Sequence, residues 1–296
     1  MNSNIKSKDV SVVIATLGET NLSETIESLN KGSLAPKEIL ICIPEEYAVN
    51  LESLNYSNVK ISKTIVRGQV AQRAIGFQNA KFPYVLQLDD DIILDFYCLE
   101  KLLETVISNK NIAAGPKLYD HLTKEYHSFL IPSDIKLVWF NKMFYFLANG
   151  KIGFQPGKIS KSGLNFGIPE TPSTFYNVDW LCGGCLMHRK ENLILTNYYP
   201  LSGKAYAEDL FHSKLLRDNN VILVRSGEAK CYVDFTSSKG GSCLNIISNL
   251  QKPLIAMNIF IKSINGNITR MYLVNFFIII RLFLIKIFKI FKIKKY

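Results

Sequence analysis

The sequence predicts an α/β protein whose first 115 residues build a mostly parallel sheet, and three observations carry that prediction. The runs "VSVVIA" (10–15) and "PKEILICI" (36–43) are continuously apolar and rich in branched residues, as strands covered on both faces are. Between such runs lie segments with helical apolar spacing, as at Val70, Ala71, Ala74, Ile75 and Phe77. Finally, the strand-like "YVLQL" (84–88) ends in three successive carboxylates, Asp89, Asp90 and Asp91. Ligands of such sheets bind outside the carboxyl ends of the strands. A row of carboxylates at that place is costly unless something positive is bound there.

Taken in order, the elements follow local rules. After 10–15 the chain turns at "TLGET", and Asn21, three residues before Glu24, marks a helix start that Gly32 ends. The second strand occupies 36–43, a third "VKISKT" (59–64), a helix 69–80 and a strand 84–88. Alternation along an extended segment puts Asp89 and Asp91 on one face and turns Asp90 away. A helix follows over 95–109, and the alternation of strands with helices argues for parallel pairing. "IKLVWFNKMFYFLANG" (135–150) is aromatic and apolar, whereas 151–173 is full of Gly, Pro, Ser and Lys and reads as loop. That loop fits a cover over a substrate and a surface excursion equally. "NVDWLCGGCLMHRKENL" (177–193) holds a carboxylate, Trp180, the pair Gly183-Gly184 and then a helix start. "AYAEDLFHSKLLRDNN" (205–220) puts Glu208 and Asp209 at the head of an apolar-periodic helix, where acidic residues suit the helix dipole.

Composition bounds the partners. The chain has 296 residues, enough for one large domain or two small ones, and its mean hydropathy of +0.10 is high for a soluble protein. Its net charge of +10 comes from one end: residues 235–296 hold ten Lys and Arg and no Asp or Glu. Without those ten, the body is neutral, with 25 basic and 25 acidic residues. A neutral body argues against nucleic acid as a partner, and a basic tail argues for an anionic surface. The N-terminus has no apolar stretch of the signal-peptide kind. Six scattered cysteines indicate a reducing compartment, and the lone C-x-x-C of Cys182 and Cys185 lacks a second pair at zinc-site spacing.

Four of these segments, "VSVVIAT", "QRAIGFQNAKFPYVLQLDDD", "VDWLCGGCLMHRKE" and "AEDLFHSKLLRDNN", occur in the order and spacing of family 2 glycosyltransferases, and residues 9–240 resemble that family. The resemblance implies the GT-A fold: a nucleotide-sugar half (about 9–115) and an acceptor half (116–250) around one mixed, mostly parallel sheet. Residues 251–296 then form a basic, amphipathic, membrane-associating tail. It also implies inverting transfer of one sugar from a nucleotide-sugar donor, UDP-linked by preference, to a glycan or glycolipid acceptor. A hard cation, Mn2+ or Mg2+, held by one or two carboxylates and phosphate oxygens, would offset the charge of the departing diphosphate.

In that reading Asp91 is the direct metal ligand, Asp89 its partner, and Asp234 stands where relatives carry a late His, which "AKCYVDFTSS" (229–238) lacks. Asp209 is the base for the acceptor hydroxyl, and Glu208 orients it or begins the helix. Thr16, Glu19, Arg73, Asp89 and Asp90 are nucleotide-side contacts. Trp180, Gly183 and Gly184 make the acceptor-side wall, with a buried core Trp as the competing reading. Two departures qualify the resemblance. Where relatives end the second strand in a base-contacting Asp, this chain has Pro44, Glu45 and Glu46. The Q-x-x-R-W signature of processive synthases is absent after Asp209, which favours a single addition.

The tail 270–296 has a longest uncharged run of ten residues, Met271 to Ile280, against the roughly 20 a bilayer requires. On a helical wheel Arg270, Asn275, Arg281, Lys286, Lys289 and Lys292 gather on one arc opposite Phe, Ile and Leu. A helix lying in an anionic leaflet has this pattern, and so does one packed on its own domain. The expectation is a peripheral enzyme on the cytoplasmic face of the cell membrane, serving surface-polysaccharide synthesis. A nucleotidyltransferase and a catalytically inactive membrane scaffold are the alternatives, and "TLGET" is not the basic Gly-rich loop the former needs.

Overall fold

The computed structural model of the protein describes residues 9–18, 22–48, 56–127, 138–170, 175–234 and 251–293. Val10–Ala15 (β1) and Glu38–Pro44 (β2) are buried at every position, as continuous apolar runs in a two-sided sheet must be. Val59–Thr64 (β3), with only Thr64 buried, closes the edge beside β2. Ser23–Lys31 (α1) and Gln69–Asn79 (α2) are the crossovers between these parallel strands and Tyr84–Leu88 (β4). Asn21, expected to cap α1, lies outside the described residues, and Leu22 at the N-cap makes no side-chain cap bond.

Beyond β4 lie Ile92–Leu94 (β5), the helix Cys98–Ile107 (α3), Ile112–Asp120 (β6), the helix Val138–Asn149 (α4), Phe175–Val178 (β7) and Cys185–Arg189 (β8). The helix Glu208–Asp218 (α5) and Ile222–Val233 (β9) complete the sheet region. The strand order is β3-β2-β1-β4-β8-β6-β9-β5, with β7 also on β9. From β3 to β4 every pairing is parallel; antiparallel pairing enters with β8 on β4. The helix start expected after Gly184 is therefore the strand β8, followed by a single 3-10 turn at Lys190–Asn192. Its four residues Cys185–His188 are buried, and a strand satisfies their backbone against β4.

Two compact units result: residues 1–128 with 170–251, and residues 129–169 with 252–296. The first holds the sheet. The second joins α4 to Gln251–Ser263 (α6) and Ile268–Ile293 (α7), so the middle segment goes with the tail and not with the preceding or following strands. Its core is Phe144, Tyr145, Ala148, Phe166, Val274 and Phe277. The Gly- and Ser-rich stretch is loop as expected, yet it fills this core: Phe166 is wholly buried, and a Cβ on Gly163 would lie 2.8 Å from Ile261 Cγ1. Helix α7 has two apolar faces. Met271, Val274 and Phe277 are buried, whereas Leu273, Phe276 and Ile280 are exposed. Arg270 is not on a free polar face, because its Nη1 donates to the Phe146 carbonyl at 2.6 Å. Among the described residues no helix is long and apolar enough to cross a membrane.

Helix α2 sits so close to the sheet that Gly76 has no room for a side chain. A Cβ there would lie 2.6 Å from Cys42 Sγ and closer still to Val13 Cγ1. Gly76→Ala is expected to destabilise the fold by about 1–3 kcal/mol through overpacking, although Ala is the better helix former. Urea unfolding of the two forms measures this; an unchanged or raised midpoint would show that α2 can move off the sheet.

Candidate active site

Strand order reverses between β1 and β4, since β1 connects to β2 on one side while β4 pairs on the other. Crevices for ligands form at such switch points. A cleft of about 590 Å³ opens there, lined by Ala15, Thr16 and Leu17 after β1, by Asp90 after β4, and by Arg67, Gln69 and Gln72 at the head of α2. Its far rim is Gly203, Lys204 and Ala205. Gln72 fixes α2 to the strand ends, donating to the Thr16 carbonyl at 2.9 Å and the Cys42 carbonyl at 2.8 Å.

Below the cleft lies a buried ion triad. Arg73, 2 % exposed, is on the inner face of α2, where it pairs with Asp89 and approaches Glu208 Oε1 at 3.3 Å. Burial opposes its charge, but Asp89, Glu208 and neighbouring acidic groups outweigh that and raise its pKa. Gln69 Nε2 donates to the same Asp89 oxygen at 2.9 Å, and the Tyr198 hydroxyl donates to Glu208. Ala207 begins α5 with a left-handed φ of 56°, a strained start that turns Glu208 inward and sets Asp209 beside it.

Asp209 and Asp89 converge on the glycine pair from opposite sides. The Gly183 N–H donates to Asp209 Oδ1 at 3.0 Å, and the Asp89 N–H donates to the Gly184 carbonyl at 2.7 Å. A Cβ on Gly183 would lie 2.7 Å from Asp209 Oδ1, and one on Gly184 3.0 Å from Asp89 Oδ2. Any side chain at either position would displace a carboxylate. Gln87 holds the turn by donating to the Gly183 carbonyl. Burial, then repulsion from Glu208, pushes the Asp209 carboxyl well above the ordinary range, while the Gly183 N–H works against the shift.

The alternation read from the sequence stops at Leu88, where β4 ends in a turn. Asp90 consequently does not turn away: it lines the cleft and accepts the Thr16 hydroxyl, which itself accepts the Gly18 N–H at 2.9 Å. Asp89 points inward to Arg73, and Asp91 is the most exposed of the three as a residue, although its carboxyl group is partly desolvated. Desolvation first, then Asp89, Asp90 and Asp234, raise the Asp91 carboxyl from 3.8 to about 6. The pairing of Ile92 with Val233 brings Asp234 opposite Asp91. Among the described residues no three His, Cys, Asp or Glu side chains form a ready metal cage, and none forms an ion pair with Asp91.

Trp180 requires a correction. It is 7 % exposed, so its ring belongs to the core and offers no open face to a sugar. Glu19 lies outside the described residues. Cys182 and Cys185 are free thiols. Tyr198, Gln69 and Gln87 went unread in the sequence; a polar Gln inside the apolar "YVLQL" was the available signal.

No curated protein sequence matches the chain. The structure is similar to that of GalNAc-T7 solved with UDP, GalNAc and Mn2+, with a TM-score of 0.52 and 18 % identity over 76 % of this chain. A crystal structure of S. aureus TarS 1-349 aligns at a TM-score of 0.46 and 16 % identity, also over 76 % of this chain. The chain spans 43 % of the GalNAc-T7 chain and 60 % of the TarS chain. The profile of "Glycosyl transferase family 2" matches residues 11–160, just over half of the sequence and including β1, β4 and the Asp89–Asp91 triplet: the chain belongs to glycosyl transferase family 2.

Proposed function

We propose that this protein is a metal-dependent, inverting glycosyltransferase that moves one sugar from a UDP-sugar to a glycan or glycolipid acceptor in cell-surface polysaccharide synthesis. The observation that carries the reading is the convergence of Asp89 and Asp209 on Gly183-Gly184, beside the cleft. The residues fit a divalent cation: Asp91, with its carboxyl raised to about 6 by burial and by three neighbouring carboxylates, marks a surplus of negative charge. Asp91, with Asp234 opposite it across the β5–β9 pairing, would hold Mn2+ or Mg2+ together with the donor's phosphate oxygens, whereas Asp89, which the sequence suggested as its partner, is turned to Arg73. Such an ion supplies charge compensation for the diphosphate as it leaves. The UDP and Mn2+ bound in the GalNAc-T7 structure make that pair the first to test.

Within this reading each side chain has a part. Thr16 and Asp90 on one wall of the cleft, and Arg67 and Lys204 on its rims, face the nucleotide and its phosphates. Arg73 does not touch the donor; it is a positioning residue that fixes Asp89 and Glu208. Asp209 takes the proton of the acceptor hydroxyl as the new bond forms. The Gly183 N–H keeps one of its oxygens oriented, and burial, then Glu208, keep its proton affinity high.

Support for a membrane-surface location comes from α7, whose exposed Leu273, Phe276 and Ile280 lie on the same helix as the basic run beginning at Lys286, "KIFKIFKIKKY" (286–296). The protein then works at the cytoplasmic face of the cell membrane, beside a lipid-linked acceptor.

Asp209→Asn keeps the Gly183 contact but not the base, so transfer is expected to fall by about 10²–10⁴-fold with UDP affinity and circular dichroism unchanged. Full activity in that variant, or no UDP binding with Mn2+ by the parent chain, would favour an inactive scaffold. In the ligand-free protein, the folded state retains the Asp91 proton up to about pH 6, whereas the unfolded chain releases it near 3.8. Stability therefore drops as pH rises through that window, and Asp91→Asn removes the drop and the Mn2+ dependence of UDP binding, the first readable as Tm against pH and the second by titration. The triple change of Leu273, Phe276 and Ile280 to Ser is expected to lower co-sedimentation with phosphatidylglycerol vesicles by more than about tenfold. Retained binding would place attachment elsewhere.

A further inference from the structure

Strands β6 and β9 run parallel to each other, and β6 runs parallel to β4 because each is antiparallel to β8. The carboxyl ends of β6 and β9 therefore reach the same edge of the sheet as Asp89–Asp91. Their register shifts between Gly115 and Lys117, and beyond that shift Lys117 pairs with Lys230 and Tyr119 with Tyr232. Alternation puts all four on one face, while Leu118 and Cys231, 5 % and 0 % exposed, fill the core behind. Bulges re-aim side chains in this way next to functional sites.

The face is extended by the turn after β6. Tyr126 packs edge-on to Tyr119 at 5.6 Å between ring centroids, and Tyr119 lies 6.1 Å from Tyr232. The Lys124 ammonium is 4.3 Å from the centre of the Tyr232 ring, and the Lys230 ammonium 5.7 Å from that of Tyr119. Arg225 donates to the Tyr126 hydroxyl. The opposing carboxylates are Glu170, which accepts the Tyr119 hydroxyl at 2.6 Å, and Asp95, which accepts that of Tyr232 at 3.5 Å. Lys117 and Lys230 face each other across the ladder, and Glu170 offsets part of their repulsion. Burial, then Arg225 and Lys230, lower the proton affinity of Lys117, with Glu170 opposing.

The ledge leads to the carboxylate cluster. Asp234, two residues past Tyr232, is close enough to Asp91 to raise its carboxyl. We infer that the Tyr119–Tyr126–Tyr232 face with Lys124 and Lys230 is an acceptor subsite for an anionic saccharide chain, an inference that rests on the glycosyltransferase reading. The half-buried tyrosine rings would pack against the apolar faces of sugar units. The lysines would meet carboxylate or phosphate groups carried by the chain.

The test uses the full chain with UDP and Mn2+, titrated calorimetrically with tetragalacturonate and with its fully methyl-esterified form, in which the carboxylate charges are masked. The expected result is binding of tetragalacturonate about tenfold tighter than of the ester. Lys124→Ala with Lys230→Ala, both on exposed side chains, should abolish that preference and leave affinity for the ester unchanged. Tyr232→Ala should weaken both, with circular dichroism and UDP affinity as the checks on folding. Equal affinity for the two saccharides, no binding of either, or an unaltered preference in the double lysine variant would overturn the inference. The UDP–Mn2+ titration of the same sample separates the two failures. UDP binding without saccharide binding removes the ledge alone, whereas loss of both removes the reading beneath it.

Discussion

One buried guanidinium sets the geometry on which the rest of the site depends. Arg73 joins three elements distant in sequence: α2, which carries it, the end of β4 through Asp89, and the head of α5 through Glu208. A buried charge is tolerated only when paired, and removing one partner of such a pair typically costs about 3–5 kcal/mol. Each member therefore constrains the other two. Glu208 held inward leaves Asp209 at the first turn of α5, against the glycine pair. Asp89 held inward leaves Asp90 on the cleft wall and Asp91 at the solvent edge. A single cation thereby divides adjacent carboxylates among distinct positions.

The same arrangement leaves a net surplus of negative charge. Arg73 answers two carboxylates, yet Asp90, Asp91, Asp209 and Asp234 crowd the same edge. The raised proton affinities of Asp91 and Asp209 express that strain, and a folded protein carrying it is less stable than one with neutral side chains there. Helix α7 divides its apolar surface in a comparable way within the second unit. One of its apolar faces closes the core with Phe144 and Phe166, and the other is left exposed.

The sheet of the first 115 residues was legible because its signals are local. Continuous apolar runs, helical spacing and the abrupt change at Asp89 need no knowledge of the rest of the chain. The misreadings fall where local rules yield to distant partners. Alternation predicted that Asp90 turns away, but the turn after Leu88 rotates it toward Thr16, a contact between residues 74 apart. The glycine pair looked like a helix start, but pairing with β4 makes Cys185–Arg189 a strand. Trp180 looked like a wall, and packing buries it.

By itself the sequence determined the family's motifs, the order of strands and helices from β1 to β4, and the placement of charge in the tail. Each of these is encoded in residue type and spacing along a short stretch. Only the tertiary structure decided which carboxylate faces Arg73, which lines the cleft and which meets solvent. It also decided that the Gly-rich middle joins the tail in a separate core, and that Lys117 and Lys230, 113 residues apart, share one rung. Those outcomes are set by register and by pairing of buried charge, which exist only once distant segments have met.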